Sequence, residues 1–117
     1  MKRSGFSKEE RLARSSVIQT VFRKGKKYSC DGAKLFTLVN GLGRNRIVFT
    51  FPRGYGTAVE RNYSRRLSRE AYRLIKQQII DGFDLTVLVF PGKDSFTERK
   101  NQLYSLFRKA GIWLERI

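Results

Sequence analysis

The chain has 117 residues, of which 40% are apolar, with nine Phe, five Tyr and one Trp; 25 Lys and Arg face ten Asp and Glu, giving a formal charge of +15 and a pI near 10.7. This length buries a core without metals or disulfide staples, and the aromatic content excludes a disordered basic tail, so one domain over residues 1–117 is expected. The charge calls for a polyanion, nucleic acid first and an anionic membrane surface second, because displaced phosphate counterions drive such binding.

No stretch reaches the roughly 18 apolar residues of a membrane span. The most apolar segment, residues 79–90, is broken by Asp81, Gly82 and Asp84. The start, Met1-Lys2-Arg3-Ser4-Gly5, is basic but leads into Ser7-Lys8-Glu9-Glu10-Arg11 rather than an apolar segment. No secretion signal is expected, and residues 1–10 read as a flexible basic N-terminus. Cys30 has no second Cys and no His to share a metal. A reducing cytoplasm is the expected location, with Cys30 as a small buried residue.

In chain order, Ser15 or Ser16 caps a short helix whose apolar positions are Val17, Ile18, Val21 and Phe22, with Gly25 as its stop. Residues 34–39 and 46–51 are β-branched and aromatic runs, and the glycines of 40–45 suit a hairpin between them. In the second run Ile47, Phe49 and Phe51 share a face, and Phe49 and Phe51 are expected in the core. A helical pattern covers 58–80 with Gly82 as its stop, and an almost wholly apolar strand, 85–90, belongs in a sheet interior. Pro52 and Pro91 mark strand ends. Ser95 and Glu98 have capping-box spacing and open a last helix carrying Leu103, Leu106 and Phe107 to Gly111. The fold class is α+β, helices packed on a mostly antiparallel sheet.

On the long helix, Arg61, Asn62, Arg65, Arg69, Arg73 and Lys76 fall within an arc of about 120°, bordered by Arg66. Tyr63, Leu67, Ala71, Leu74 and Ile75 form an opposite arc, expected to pack on the sheet. Only Glu70 is placed to relieve the arginines within the helix, so the cationic arc points to a ligand. Arginine's planar fork grips phosphate at two points and stacks on bases, and Asn62 adds hydrogen bonds to a sugar or base edge. RNA is favoured over DNA, because a helix-turn-helix needs two successive helices and here strands flank the long helix. Aromatics on strands, Phe36 among them, suit unpaired bases.

The run Gly56-Thr57-Ala58-Val59-Glu60-Arg61-Asn62, followed by Arg65, Arg66, Leu67, Arg69 and Glu70, resembles the signature of the bacterial ribonuclease P protein subunit. Arg11-Leu12, Val21-Phe22 with Gly25, and Leu106-Phe107-Arg108-Lys109 are similar to that family's first and last helices. The resemblance implies a two-layer sandwich of a four-stranded sheet and three helices in the order α-β-β-β-α-β-α, with a left-handed βαβ crossover, a fold shared with the second domain of a small-subunit ribosomal protein. It implies as partners a catalytic RNA and precursor tRNA, with no membrane and no DNA. The RNA-subunit contact carries over to Arg61, Asn62, Arg65, Arg66 and Arg69. The cleft for the single-stranded 5′ leader carries over to Ile18, Phe22, Phe36 and Arg53. Tyr63 stands where the family has a second arginine, Ile18 where it usually has an aromatic, and only Arg53 represents a usual basic pair.

With no His and one Cys, the chain lacks an evident base or nucleophile constellation. Asp81 and Asp84 read as turn residues. The resemblance assigns hydrolysis to the RNA with Mg²⁺, bound mainly by the RNA and substrate. Two alternatives stand beside it: a ribosomal or other structural RNA-binding protein, and a self-sufficient nuclease holding a metal with Asp31, Asp81, Asp84 or Asp94.

Overall fold

The computed structural model describes residues 8–115. Of the stretch read as flexible, residues 1–7 lie outside the described residues, while Lys8–Glu10 form a 3-10 turn. Helix α1, Ser15–Lys24, begins a residue earlier than a serine cap requires. Its N-cap is Arg14 and no side chain caps it, so neither serine does the expected work. Gly25 does end the helix, in extended rather than left-handed backbone. Its role is close approach: a Cβ there would lie 2.5 Å from the Val21 carbonyl oxygen and 2.7 Å from that of Thr37.

Strands β1, Lys26–Cys30, and β2, Ala33–Val39, form an antiparallel hairpin closed by Asp31-Gly32, with Gly32 at φ +90°. The hairpin expected across residues 40–45 does not form. Strand β3, Arg46–Thr50, instead runs parallel to β4, Phe83–Val89, which inserts between β2 and β3 to give the order β1-β2-β4-β3. β4 pairs antiparallel with β2 on its other side. Its near-continuous apolar sequence is the reason, since a strand covered on both faces belongs in the middle. The sheet is therefore mixed, two antiparallel pairings and one parallel, within an α+β fold.

The β3–β4 crossover runs through α2, Ala58–Ile75. Thr57 caps it in a full capping box: its Oγ accepts from the Glu60 amide at 3.1 Å, and the Glu60 carboxylate accepts from the Thr57 amide at 2.8 Å. The helix stops at Ile75, short of residue 80, and Lys76–Gln78 continue as a 3-10 turn. Ile79 then bridges Trp113 in extended form and is buried there, which uses the apolar run as a tie rather than as helix. Helix α3, Phe96–Lys109, begins as expected, with Ser95 accepting from the Glu98 amide at 3.0 Å.

Strand pleating separates two faces. Leu35, Ile47, Phe49, Leu85 and Val87 point to one and form the core with Ala71 and Tyr72 of α2 and Leu103, Leu106 and Phe107 of α3. Phe51, expected in the core, is only partly buried against it, because β3 ends at Thr50. Phe36 points to the other face, where it meets Phe22 of α1. Among the described residues, no helix is long and apolar enough to cross a membrane.

Candidate nucleic-acid interface

The buried side of α2 is Ser64, Ser68, Ala71, Tyr72 and Ile75. Ala71 and Ile75 are as expected, but Tyr63 and Leu74, assigned to the sheet-facing arc, are 51% and 52% exposed. The helix is rotated because α3 presents a polar partner. Arg99, with a fully buried side chain, donates to Ser64 at 3.3 Å and to Ser68, and pairs with Asp94 at 2.5 Å. Gln102 accepts from Arg99 at 2.8 Å. A buried guanidinium must be satisfied, and the two serines satisfy it. Tyr55 donates to the other oxygen of Asp94, so the loop entering α2 is held by the same cluster.

That rotation carries Arg61, Arg65, Arg69, Arg73 and Lys76 onto one half-buried flank, with Asn62 and Arg66 beside it on the exposed surface. Asn62, Arg65, Arg66, Arg69, Glu70 and Arg73 line a groove of about 550 Å³. Arg65 is fixed twice: its guanidinium lies 5.0 Å over the Phe51 ring and donates to Asn62 at 3.1 Å. Arg61 donates to the Gly56 carbonyl at 2.8 Å. Burial, together with the nearby Arg11 and Arg65 cations, pushes Arg69 below its ordinary pKa, a crowding that an arriving phosphate relieves.

The expectation of largely unrelieved charge needs correction at the C-terminal end. Lys76 pairs with Glu10 at 2.8 Å, and Arg73 pairs with Glu70. Glu10 comes from outside the helix, where a count of intrahelical partners does not find it.

The second candidate surface is the sheet face under α1. Phe22 and Phe36 meet edge to face with centroids 4.8 Å apart, both partly exposed, and Ile18 lies one helical turn from Phe22. Lys34, two residues before Phe36 on the same face, lies 5.7 Å over the Phe90 ring. Lys27 sits opposite Phe36 on β1. These two lysines were not singled out from sequence, although alternation along β2 puts Lys34 and Phe36 together. Arg53 is exposed in the turn 52–55, which the Tyr55 amide closes by donating to the Pro52 carbonyl at 3.1 Å, beyond the Thr50 end of β3.

The four aspartates are not brought together. Asp84 is no turn residue: it is buried in β4, where Arg46 grips it at 2.7 and 2.8 Å and Asn40 donates at 2.9 Å. Asp94 lies beyond the other end of that strand, held by Arg99. Asp31 is in the β1–β2 turn near Lys93, and Asp81 is exposed. Among the described residues no three His, Cys, Asp or Glu side chains gather as a metal-holding group. Cys30 is half-buried and unpaired, its thiol pushed up by burial.

These features define a class: small basic α+β proteins with a cationic helix on one side of a mixed sheet and an aromatic pair flanked by lysines on the other. The sequence model of the Ribonuclease P family matches residues 6–111. The ribonuclease P protein component of Dictyoglomus turgidum is 33% identical over 111 residues, 92% of this chain and 93% of that one. The ribonuclease P protein of Thermotoga maritima superposes with a TM-score of 0.77 at 25% identity, over 86% of this chain and 96% of that one. The Staphylococcus aureus protein shares the fold, with a TM-score of 0.79 at 20% identity, covering 89% and 97%. The chain belongs to the bacterial ribonuclease P protein family, components of a tRNA-processing ribonucleoprotein.

Proposed function

We propose that this chain binds the catalytic RNA of ribonuclease P through Arg61, Asn62, Arg65, Arg66 and Arg69, and binds the single-stranded 5′ leader of precursor tRNA in the cleft of Ile18, Phe22 and Phe36, with Arg53 at its margin. The observation that carries the reading is the arginine groove, where Arg65 is held ready by Phe51 and Asn62 while Arg66 stands exposed. Guanidiniums fixed in advance lose less rotamer freedom when they meet phosphate.

In this reading the chain performs no bond cleavage. Asp84 and Asp94 are each committed to an arginine, and among the described residues no three His, Cys, Asp or Glu side chains gather to hold a metal. Phosphodiester hydrolysis belongs to the RNA with Mg²⁺ bound mainly by RNA and substrate. The protein supplies positive charge that draws the substrate close and lowers the repulsion between two polyanions. It works in the cytoplasm, where precursor tRNA is made. The test is binding to a bacterial ribonuclease P RNA across a salt series. Tight binding that weakens steeply with salt supports the reading, and preferential binding of ribosomal RNA refutes it.

A further inference from the structure

The outer side of the helix layer carries a feature that the arginine groove and the leader cleft do not use. Along α3, Lys100, Tyr104 and Arg108 recur every fourth residue and so occupy one flank. The opposite flank meets the β1–β2 hairpin, where Gln102 donates to the Asp31 carbonyl at 3.0 Å and Lys109 to that of Ser29 at 2.6 Å. The Lys100 to Arg108 flank therefore faces α2. The two helices run in the same direction, since Arg99 meets Ser64 and Ser68 while Phe107 meets Tyr72. The arginine flank of α2 looks the other way, toward Phe51 and Glu10. Tyr63 and Leu74, each about half exposed, lie on the outer surface of α2, across the helix from that arginine flank.

The α3 flank alternates ring and cation. Lys100 lies 5.8 Å over Phe96, and Arg108 lies 5.3 Å over Tyr104 while donating to its hydroxyl at 2.6 Å. Tyr104, 41% exposed, meets Trp113 edge to face at 4.8 Å. Aromatic faces interleaved with cations form a stacking platform with phosphate contacts alongside, the composition of surfaces that hold unpaired nucleotides.

We infer that the seam between the outer sides of α2 and α3, with Tyr63 and Leu74 on one side and Lys100, Tyr104 and Arg108 on the other, forms a groove that takes unpaired bases as a further RNA surface. A second copy of the chain is the poorer occupant, because each would bring a charge of +15, with Lys100 and Arg108 at the contact. Two described carboxylates compete: Glu115 pairs with Arg108 at 2.6 Å, and Glu70, one turn before Leu74 on α2, pairs with Arg73; a phosphate displaces such weak surface pairs. The inference rests on the RNA-binding part of the proposed function and is tested without cleavage.

Trp113 is the only tryptophan, so its emission reports on this groove. The full chain is titrated at low salt with end-labelled oligouridylate, following Trp113 emission and label anisotropy together. Emission quenched in step with binding is expected. Tyr104→Ala and Tyr63→Ala each weaken the Trp113-detected binding by about tenfold, the loss of one stacked base, while Tyr104→Phe retains it. Both residues are exposed enough for the alanine variants to fold, which circular dichroism checks, and Lys100→Glu provides a variant that leaves every ring in place and also weakens binding. Anisotropy that rises with unchanged emission overturns the inference, as do alanine variants that bind like the wild type, or oligouridylate that does not bind. Emission that changes with protein concentration alone assigns the groove to a second copy. Wild-type protein that quenches normally but fails to stimulate cleavage by ribonuclease P RNA leaves the groove standing and refutes the proposed function instead.

Discussion

Arg99 and Asp94 form an ion pair at 2.5 Å in which the guanidinium is wholly buried and the carboxylate 27% exposed, and through it α3 grips the inner side of the arginine helix. Asp94→Ala leaves that guanidinium without its anion while Ser64 and Ser68 still face it. The expected loss of stability is about 3 kcal/mol, measured by urea unfolding. A loss near zero would show that α2 is held by its apolar contacts alone.

The same carboxylate sets a pH response. Burial acts to raise the Asp94 pKa, but hydrogen bonds from Tyr55, Arg99 and Ser64 outweigh it and hold the group below its ordinary value. A carboxylate with a depressed folded pKa contributes stability that is present above the unfolded pKa, about 3.9, and lost as pH falls through the folded one. The wild type should therefore lose this contribution below about pH 4, and Asp94→Asn should show a flatter acid limb. Identical acid limbs would remove Asp94 from the explanation.

Arg65→Ala with Arg69→Ala should weaken binding to the catalytic RNA and reduce the slope of log affinity against log salt by about 1 to 2, while leaving the fold intact. Filter binding across a salt series reads both effects. Unchanged affinity at moderate salt would place the RNA contact elsewhere.

Phe22→Ala removes one half of the edge-to-face pair with Phe36. Precursor tRNA binding should fall more than mature tRNA binding, because only the precursor carries a leader. Equal losses would take the leader away from this cleft, and an unfolded variant would leave Phe22 a packing residue only.

Gly25→Ala would force a methyl group onto the Val21 and Thr37 carbonyls, both backbone atoms with little room to yield. The expected cost is about 1 to 3 kcal/mol, seen as a lower melting temperature, with α1 displaced from β2. A melting temperature equal to that of the wild type would mean that α1 shifts freely.

Local signals were legible where local chemistry decides them. The Ser95 cap, the apolar interior strand and the cationic flank of α2 all followed from spacing. Pairing across distance was not legible from the residues: 34–39 and 46–51 look like a hairpin, and nothing local shows that β4 separates them. β1, with two lysines and a serine among its five residues, carries too little apolar pattern to read as a strand, although Asp31-Gly32 is a hairpin signal. The rotation of α2 was hidden because its buried stripe contains Ser64 and Ser68, polar residues whose burial makes sense only once Arg99 arrives from α3. For the same reason Asp84 read as a turn residue until Arg46 and Asn40 closed on it. Of the candidate site, the arginines came from periodicity, whereas the cleft residues came from the family resemblance and the lysines beside Phe36 from the sheet.

The most direct measurement is cleavage of a precursor tRNA by a bacterial ribonuclease P RNA at low Mg²⁺, with and without this protein. Faster cleavage with the protein present, at an Mg²⁺ level where the RNA alone is slow, and no cleavage by the protein alone, is the expected result. Equal rates with and without the protein, or cleavage by RNA-free protein, would contradict it.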